Sequence, residues 1–218
     1  MSSTASQPTK EDGNLPQRRV LVLFAHPSPD RSEANRPLAE AAAQMEGVTL
    51  VDLYAEYPTF DIDVDREQGR LISHEVICFL HPLYWYSTPA ILKEWQDLVL
   101  EYGFAYGVGA TALHDKLFFN ALTAGGPESA YCAAGSNHFA IRELLCPLEQ
   151  MARLCGMVFL PPLALFGART AGADGRLAHH LDDWVRVLEA LRDDRLDVGV
   201  AVTQAKLNID LNAIIRGR

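Results

Sequence analysis

The stretch RVLVLFAHPSPDRSEAN, residues 19–35, decides how the chain folds. It begins with Val20–Phe24, a short continuous apolar run. Such a run is typical of a strand that is covered on both faces of a parallel sheet. Pro27 then ends the strand, because a proline has no N–H group with which to continue the ladder. The stretch therefore predicts a buried strand that leads directly into a loop.

The polar part of this loop precedes the first predicted helix. It offers hydroxyl, carboxylate and amide groups on Ser28, Asp30, Ser32 and Asn35. A helix N-terminus carries unsatisfied N–H groups and a partial positive charge, which favour a bound phosphate. Ordinary N-capping uses the same polar residues, so this stretch alone leaves both interpretations open.

The bulk composition is that of a soluble globular protein. The chain has 218 residues, of which 49% are hydrophobic and 22% charged, enough for one well-buried domain. The net charge of −9 argues against a nucleic-acid partner, which requires a basic face. No apolar run approaches the roughly 18 residues that a membrane span needs. The four cysteines, Cys78, Cys132, Cys146 and Cys155, have no metal-site or disulfide spacing, so a cytoplasmic location is expected.

Strand and helix patterns alternate five times along the chain. Strands are predicted at residues 20–24, 48–54, 76–80, 116–123 and 157–166, the last one interrupted by two prolines. Helices are predicted at residues 37–45, 66–73, 90–100, 141–154 and 174–193. This alternation predicts an α/β doubly wound fold, with five parallel strands in the flavodoxin-like order 2-1-3-4-5 and helices on both faces. The first turn also lacks the GxGxxG pattern of a dinucleotide fold.

Both ends of the chain lie outside this pattern. Residues 1–17 are rich in polar residues and predict a disordered N-terminal tail, and residues 18–194 form the predicted domain. Residues 195–218 are an extension of unknown role. Within it, alternating valines at 198, 200 and 202 resemble an edge strand, and residues 207–215 could form a short amphipathic helix. The extension could wrap a dimer partner, dock on another protein or stay loose.

Three loops that follow strands one, three and four contain the chemistry. In a doubly wound sheet, ligands bind beyond the carboxyl ends of the strands, where the strand order reverses. The loops are AHPSPDRSEAN, HPLYWYSTP and TAGGPESAY. They supply a phosphate-binding loop, an aromatic surface and a glycine-rich segment whose backbone can lie close to a planar ring. Together they predict a ligand like flavin mononucleotide.

Each loop also has a structural alternative. The three aromatic residues at 84–86 could cap the core or form an interface, and the glycine pair at 125–126 could be a simple turn. His26 could be a structural histidine that is hydrogen-bonded in a turn, and a structural role is favoured for His81. His179 and His180 have no third ligand in view, so no metal site is predicted.

Four motifs in order resemble the NAD(P)H:quinone oxidoreductase family of flavodoxin-like flavoproteins. They are FAHPSPDRSEAN, HPLYWYSTPAILKEW, GFAYGVGATALHDK and TAGGPESAY. Within that family, the motifs are most similar to the ancillary subunits of glutathione-gated potassium-efflux systems. The resemblance covers residues 19–194 and leaves both ends of the chain without an account.

The resemblance implies a flavin site and assigns residues to it. The loop that holds the flavin phosphate and ribityl chain matches His26, Ser32, Glu33, Ala34 and Asn35. The segment along the isoalloxazine matches Leu83, Tyr84, Trp85 and Tyr86. The loop at the polar edge of the ring matches Thr123, Ala124, Gly125 and Gly126, with Ala124 where a second threonine is common. The residues that orient the acceptor match Tyr131 and His138, which are farther apart here than in well-known relatives.

The implied activity is two-electron hydride transfer from NAD(P)H through FMN to a quinone, as in an NAD(P)H dehydrogenase (quinone). FAD is the cofactor of longer relatives. Family members are homodimers, so a homodimer is expected. An alternative from another class is a regulatory ancillary subunit that binds and activates a potassium/proton antiporter at the cytoplasmic membrane face. A flavodoxin-type electron carrier is a third possibility.

Overall fold

The computed structural model describes residues 18–217, and the predicted disordered tail, residues 1–17, lies outside them. The described chain contains one parallel sheet in the order β2-β1-β3-β4-β5, which confirms the predicted order. A sixth strand, β6, pairs with β4 beyond the end of β5. The strands are β1 Val20–Phe24, β2 Val48–Asp52, β3 Val76–Pro82, β4 Leu117–Ala124, β5 Val158–Phe159 and β6 Leu163–Phe166.

Helices cover both faces of the sheet, as predicted. They are α1 Asn35–Ala43, α2 Leu53–Glu56, α3 Val64–Ile72, α4 Ala90–Val99, α5 Ile141–Leu144, α6 Cys146–Leu154, α7 Arg176–Arg192, α8 Val198–Ala201 and α9 Leu211–Ile214. Three short 3-10 turns lie at Pro29–Arg31, Glu128–Ala130 and Leu207–Ile209.

Two hydrophobic cores explain why the central strands are buried throughout. Alternate residues of a strand point to opposite faces, and both faces of this sheet are covered. In β1, Leu21 and Leu23 pack with α4 on one face, and Val20 and Val22 pack with α1 and α7 on the other. Every residue of β1, β3 and β4 is buried. This rigid sheet holds the loops at its carboxyl edge.

Two predicted strands differ from those in the structure, each for a local reason. The second strand ends at Asp52 and not at residue 54, because the Asp52 carboxylate accepts the N–H groups of Tyr54 and Ala55 and starts α2. The fifth predicted strand is two short strands, β5 and β6, separated by Pro161 and Pro162. Prolines cannot donate to a ladder, so the pairing with β4 stops and restarts.

Two further sequence predictions need correction. The single helix predicted at residues 141–154 is divided into α5 and α6, with Pro147 in the first turn of α6. The edge strand suggested by the valines at 198, 200 and 202 is wrong, because residues 198–201 form α8. The Asp197 side chain caps this helix by accepting the Val200 N–H at 3.1 Å.

The C-terminal segment, residues 195–217, packs back onto the α1/α7 side of the sheet. Its buried apolar side chains join that core: Leu196, Ala201, Leu207, Leu211 and Ile214. A bridge between Leu196 and Ile215 closes the segment on itself. Within residues 18–217, no helix combines the length and apolar character needed to cross a membrane.

Candidate functional site

A crevice opens at the carboxyl ends of β1, β3 and β4, where the strand order reverses. Its volume is about 670 Å³. We call it the strand-end crevice. Ten of its lining residues were predicted from the sequence: His26, Ser32, Glu33, Ala34, Asn35, Leu83, Tyr84, Trp85, Thr123 and Gly125. Four more lining residues were not: Arg31, Pro82, Ala168 and Arg169.

The loop after β1 forms a closed, hydrogen-bonded wall of the crevice. The Asn35 N–H donates to Ser32 Oγ at 2.9 Å, which begins α1. The Asn35 side chain is 3% exposed, and its Nδ2 donates to Thr123 Oγ1 on β4 at 2.7 Å. Asn35 Oδ1 is buried and has no partner among residues 18–217. Buried polar atoms are nearly always hydrogen-bonded, so this oxygen fits a ligand hydroxyl or N–H donor in the crevice.

His26 is the ionisable group of this wall. Its Nδ1 accepts the Ser28 N–H at 3.1 Å, which turns the chain away from β1. Burial lowers the pKa of His26 below its usual value, and the hydrogen bond from Ser28 and the charge of Asp52 oppose that change only in part. His26 is therefore neutral at pH 7. Its ring also lies edge-on to Tyr84, with centroids 6.0 Å apart.

The loop after β3 is a tight turn with unusual backbone geometry. Tyr84 and Ser87 exchange two backbone hydrogen bonds of 3.0 and 3.1 Å. The two central residues, Trp85 and Tyr86, have φ of 49° and 63°. Two positive φ values are the signature of a type I′ turn, which strongly favours Asn-Gly. The structure thus holds two bulky aromatic residues in a strained backbone, and Trp85 is 93% exposed.

The loop after β4 carries Tyr131 beside Gly126. A methyl group at Gly126 would lie 3.5 Å from the Tyr131 ring. The half-buried Tyr131 ring packs on Phe166 of β6, with centroids 5.0 Å apart. Burial raises the pKa of Tyr131, the nearby Tyr86 raises it further, and a hydrogen bond with Asn137 opposes both. The phenol is therefore protonated at neutral pH and can donate a hydrogen bond.

Five predicted residues do not line the strand-end crevice: Tyr86, Ala124, Gly126, Tyr131 and His138. Ala124 is buried in the core, and its carbonyl accepts the Ala168 N–H at 3.0 Å. His138 is exposed, with a left-handed φ of 61°. Its neighbour Asn137 is the residue that reaches the aromatic side chains, since Asn137 Oδ1 accepts the Tyr86 hydroxyl at 3.1 Å.

Arg31 and Arg169 are the cations that sequence reasoning missed. Both line the crevice, and neither forms an ion pair within residues 18–217. Guanidinium groups bind phosphate well because their N–H donors match its oxygens. Arg169 lies shortly after a strand of the same sheet, and this position could have identified it as a crevice residue. Only the ends of strands one, three and four had been considered.

The crevice as a whole fits a ligand with an anionic end and a planar end. Two arginines and the first turn of α1 supply positive charge to the lining. Tyr84 and Trp85 supply aromatic surface to it. The orphaned Asn35 oxygen lies among the crevice residues, where a hydroxylated chain could donate to it.

Relatives of this chain are ancillary proteins of potassium-efflux systems. The glutathione-regulated potassium-efflux system ancillary protein KefG of Serratia proteamaculans is 46% identical over 170 residues, which cover 77% of this chain and 93% of the relative. KefG of Shigella flexneri is 47% identical over 170 residues and is covered to 92%.

Solved structures give the same fold under several names. General stress protein 14 of Treponema denticola, solved with FMN, is 32% identical with a TM-score of 0.76, covering 79% of this chain and 99% of that one. An NADPH-quinone reductase from P. pentosaceus is 30% identical with a TM-score of 0.71, covering 78% and 97%. A chain described as a thermophilic tryptophan halogenase from Streptomycin violaceusniger is 47% identical with a TM-score of 0.73, covering 75% and 95%.

The profile of the flavodoxin-like fold matches residues 18–188. That span contains β1 to β6 and all the residues of the strand-end crevice. Close relatives are KefG ancillary proteins, and structural neighbours are NAD(P)H:quinone reductases, as the sequence motifs indicated. The chain belongs to the flavodoxin-like family that contains these proteins.

Proposed function

We propose that this protein is a flavin-dependent NAD(P)H:quinone oxidoreductase that uses FMN. The observation that carries the proposal is the strand-end crevice, in which, among residues 18–217, the buried Asn35 oxygen has no hydrogen-bond donor and Arg31 and Arg169 form no ion pair. The FMN complex of a structural neighbour at 32% identity supports the choice of cofactor. The neighbouring NADPH-quinone reductase supports the choice of reaction.

Residues of three strand ends would hold the flavin. Arg31, Arg169 and the N-terminal turn of α1 would bind its phosphate by charge and N–H donors. Asn35 Oδ1 would accept from the ribityl chain. Trp85 would lie against the ring system, since its exposed indole offers a large apolar face that water now covers. His26, neutral at pH 7, would keep the wall in place.

Bound flavin supplies the hydride chemistry, accepting from NAD(P)H and donating to a quinone. The protein orients the flavin and the quinone and contributes one hydrogen-bond donor. The Tyr131 hydroxyl stays protonated because its pKa is raised, and it is supported by Phe166. We infer that it donates a hydrogen bond to the quinone oxygen that gains negative charge, a modest form of oxyanion stabilisation. His138 remains a prediction as a catalytic residue, with Asn137 the better-placed side chain.

A second role is favoured by the relatives at 46% and 47% identity, which are ancillary proteins of potassium-efflux systems. We infer that this chain also acts as the ancillary subunit of such a membrane system, at its cytoplasmic face and as a homodimer. The two roles are compatible, because the crevice uses one edge of the sheet. Fold and identity alone do not fix the reaction, since one neighbour bears the name of a halogenase.

An absorption spectrum of the purified protein tests the main proposal. We expect bands of a bound flavin, release of FMN on denaturation, loss of colour with NADH or NADPH without oxygen, and its return on adding a quinone. A colourless protein that neither FMN nor FAD can reconstitute would contradict the proposal. The ancillary subunit would then be the better account, tested by co-purification with the potassium-efflux antiporter.

The variant Tyr131→Phe tests the role of the Tyr131 hydroxyl as a hydrogen-bond donor. We expect quinone turnover to fall about tenfold, the equivalent of one hydrogen bond of about 1.4 kcal/mol, with flavin content unchanged. Tyr102→Phe is a matched control, because Tyr102 is an exposed phenol whose ring packs on Tyr106 and not on Phe166 as the Tyr131 ring does. Full turnover in Tyr131→Phe would remove Tyr131 from the mechanism.

A further inference from the structure

The C-terminal segment reaches the loop that carries Tyr131 through a single lysine. The Lys206 side chain is only 13% exposed, and its ammonium group pairs with the Glu128 carboxylate. The same ammonium lies 5.2 Å from the centre of the Phe166 ring. Lys206 lies beyond residues 18–188, the part of the chain that matches the family. These contacts therefore involve a residue outside the span that the family profile matches.

Lys206 is held in place by the residues that follow it. Leu207 is fully buried, and its N–H donates to the Pro162 carbonyl at 2.9 Å. The Asn208 side chain accepts the Ala164 N–H at 3.3 Å and donates to the Ala164 carbonyl at 3.1 Å. The backbone on the C-terminal side of Lys206 is thus anchored to β6 and the turn before it. The lysine is presented from a fixed position and is not a mobile surface side chain.

Both partners of Lys206 support Tyr131 directly. Glu128 starts the 3-10 turn Glu128–Ala130, and its carbonyl accepts the Tyr131 N–H at 2.9 Å. Phe166 packs on the Tyr131 ring. Lys206 therefore contacts both Glu128, which holds the Tyr131 backbone, and Phe166, which holds the Tyr131 ring.

We propose that Lys206 is a positioning residue for Tyr131, acting through Glu128 and Phe166. The lysine ties the start of the Tyr131 loop to the strand on which the phenol packs, so the loop and the strand cannot separate. The catalytic consequence rests on the proposed function, in which Tyr131 donates to the quinone. The structural consequence, an ordered Tyr131 loop, does not depend on it.

The effect should be on order and geometry more than on global stability. Glu128 is 63% exposed, and ion pairs with an exposed partner add little to the free energy of unfolding. A cation over an aromatic ring favours one arrangement of the two groups, and that arrangement fixes the Phe166 surface. The free energy of local opening of a loop can change while the free energy of unfolding of the core stays the same. The test must therefore report on the loop separately from the core.

Hydrogen–deuterium exchange of the purified full chain tests the structural claim. In Lys206→Met, we expect peptides spanning residues 127–138 to exchange about fivefold faster than in the unaltered protein, with β1 and β3 unchanged. Glu128→Gln should reproduce this result, and the double variant should match either single one, because both remove the same contact. Lys93→Met is the control, since Lys93 forms its ion pair with Asp97 within α4 and not with a residue of this loop. Equal exchange in Lys206→Met and Lys93→Met would overturn the proposal.

Steady-state kinetics test the positioning of the phenol. Lys206→Met should lower kcat for quinone reduction about fivefold with little change in KM, since a donor to developing charge acts in the transition state. Lys206→Arg, which keeps the cation, should restore most of the rate. A kcat equal to that of Lys93→Met, or a loss that Lys206→Arg does not reverse, would refute the positioning role. If the unaltered protein reduces no quinone, the proposed function fails, while the exchange experiment still decides the structural claim.

Discussion

The loops after β1 and β3 line the same crevice, but they present opposite surfaces. The β1 loop is closed and polar, with His26 and Asn35 buried and hydrogen-bonded within the protein. The β3 loop is open and apolar, with Trp85 almost fully exposed on a strained turn. On the β1 side, the chain itself supplies hydrogen-bond partners for His26 and for the Asn35 amide nitrogen, and only Asn35 Oδ1 is left for a ligand. The β3 side keeps an arrangement that only a bound partner would make favourable.

The contrast teaches that the two sides should respond differently to mutation. Removing a buried polar group costs both affinity and order, because its partners are left unsatisfied. Changing an exposed residue on a strained turn costs affinity alone, and relieving the strain should stabilise the fold. Mutations on the β1 side should therefore have larger effects than mutations on the β3 side.

Asn35→Leu should do the greatest damage. It removes the acceptor Oδ1 and the hydrogen bond to Thr123, and we expect FMN to bind about 100-fold more weakly, a loss of roughly 2.7 kcal/mol. Quenching of FMN fluorescence on titration with protein measures the affinity. Asn212→Leu is the matched control, since Asn212 is an exposed residue that bonds Arg186. Equal affinities for the two variants would mean that the closed side does not bind the flavin.

Acid should weaken the whole fold through buried histidines, of which the closed side contributes His26. Burial lowers the pKa of His26, and it lowers the pKa of His180 in α7 to about 4. Below about pH 6.5 the unfolded chain binds protons that the folded chain does not, so stability falls as the pH falls. For His180 alone, the loss at pH 5 is about 2 kcal/mol.

Urea unfolding at pH 7 and pH 5 measures this loss. His180→Asn should reduce the difference between the two pH values, because it removes one of the groups that take up a proton only on unfolding. A difference as large as that of the unaltered protein would show that His180 is not the source.

The double variant Trp85→Asn, Tyr86→Gly should have the smallest effect. Unlike the other changes, it should raise the free energy of unfolding. Asn-Gly is the pair that a type I′ turn prefers, so we expect the free energy of unfolding to rise by about 1 kcal/mol. Flavin affinity should fall, since the aromatic wall is lost. Thermal unfolding and flavin titration measure the two changes. A variant that is less stable than the parent would show that the turn is not strained.

The sheet could be predicted from the sequence because it depends on strong, local patterns. Continuous apolar runs mark β1 and most of β3, a largely apolar run marks β4, and the alternation of these runs with amphipathic segments predicts the strand order. The predictions failed where a single residue overrides a pattern. Asp197 caps a helix where three alternating valines suggested a strand, and Pro147 divides a helix that periodicity had joined. Short patterns are the ones that capping and proline most easily override.

The site was predictable in its position but not in its detail. The rule that ligands bind at the carboxyl ends of the strands selected the three loops, and the family resemblance supplied the ten residues that line the crevice. The aromatic type I′ turn could not be predicted, because Trp-Tyr is the opposite of what such a turn favours. Asn137 was missed because long-range packing, and not a local motif, brings its side chain to Tyr86. Arg169 was missed because it follows β6, whose end had not been considered.

Asn208 also has a consequence for how this protein behaves among many copies of itself. β6 lies on the outer side of β4, and an open strand edge can pair with another chain and seed aggregation. Asn208 occupies both the N–H and the carbonyl of Ala164 at the middle of that strand. Light scattering of Asn208→Leu should therefore show association that the unaltered chain lacks, and a monodisperse variant would argue against it. The segment that orders the Tyr131 loop thereby also keeps the edge of the sheet from becoming a template for fibres.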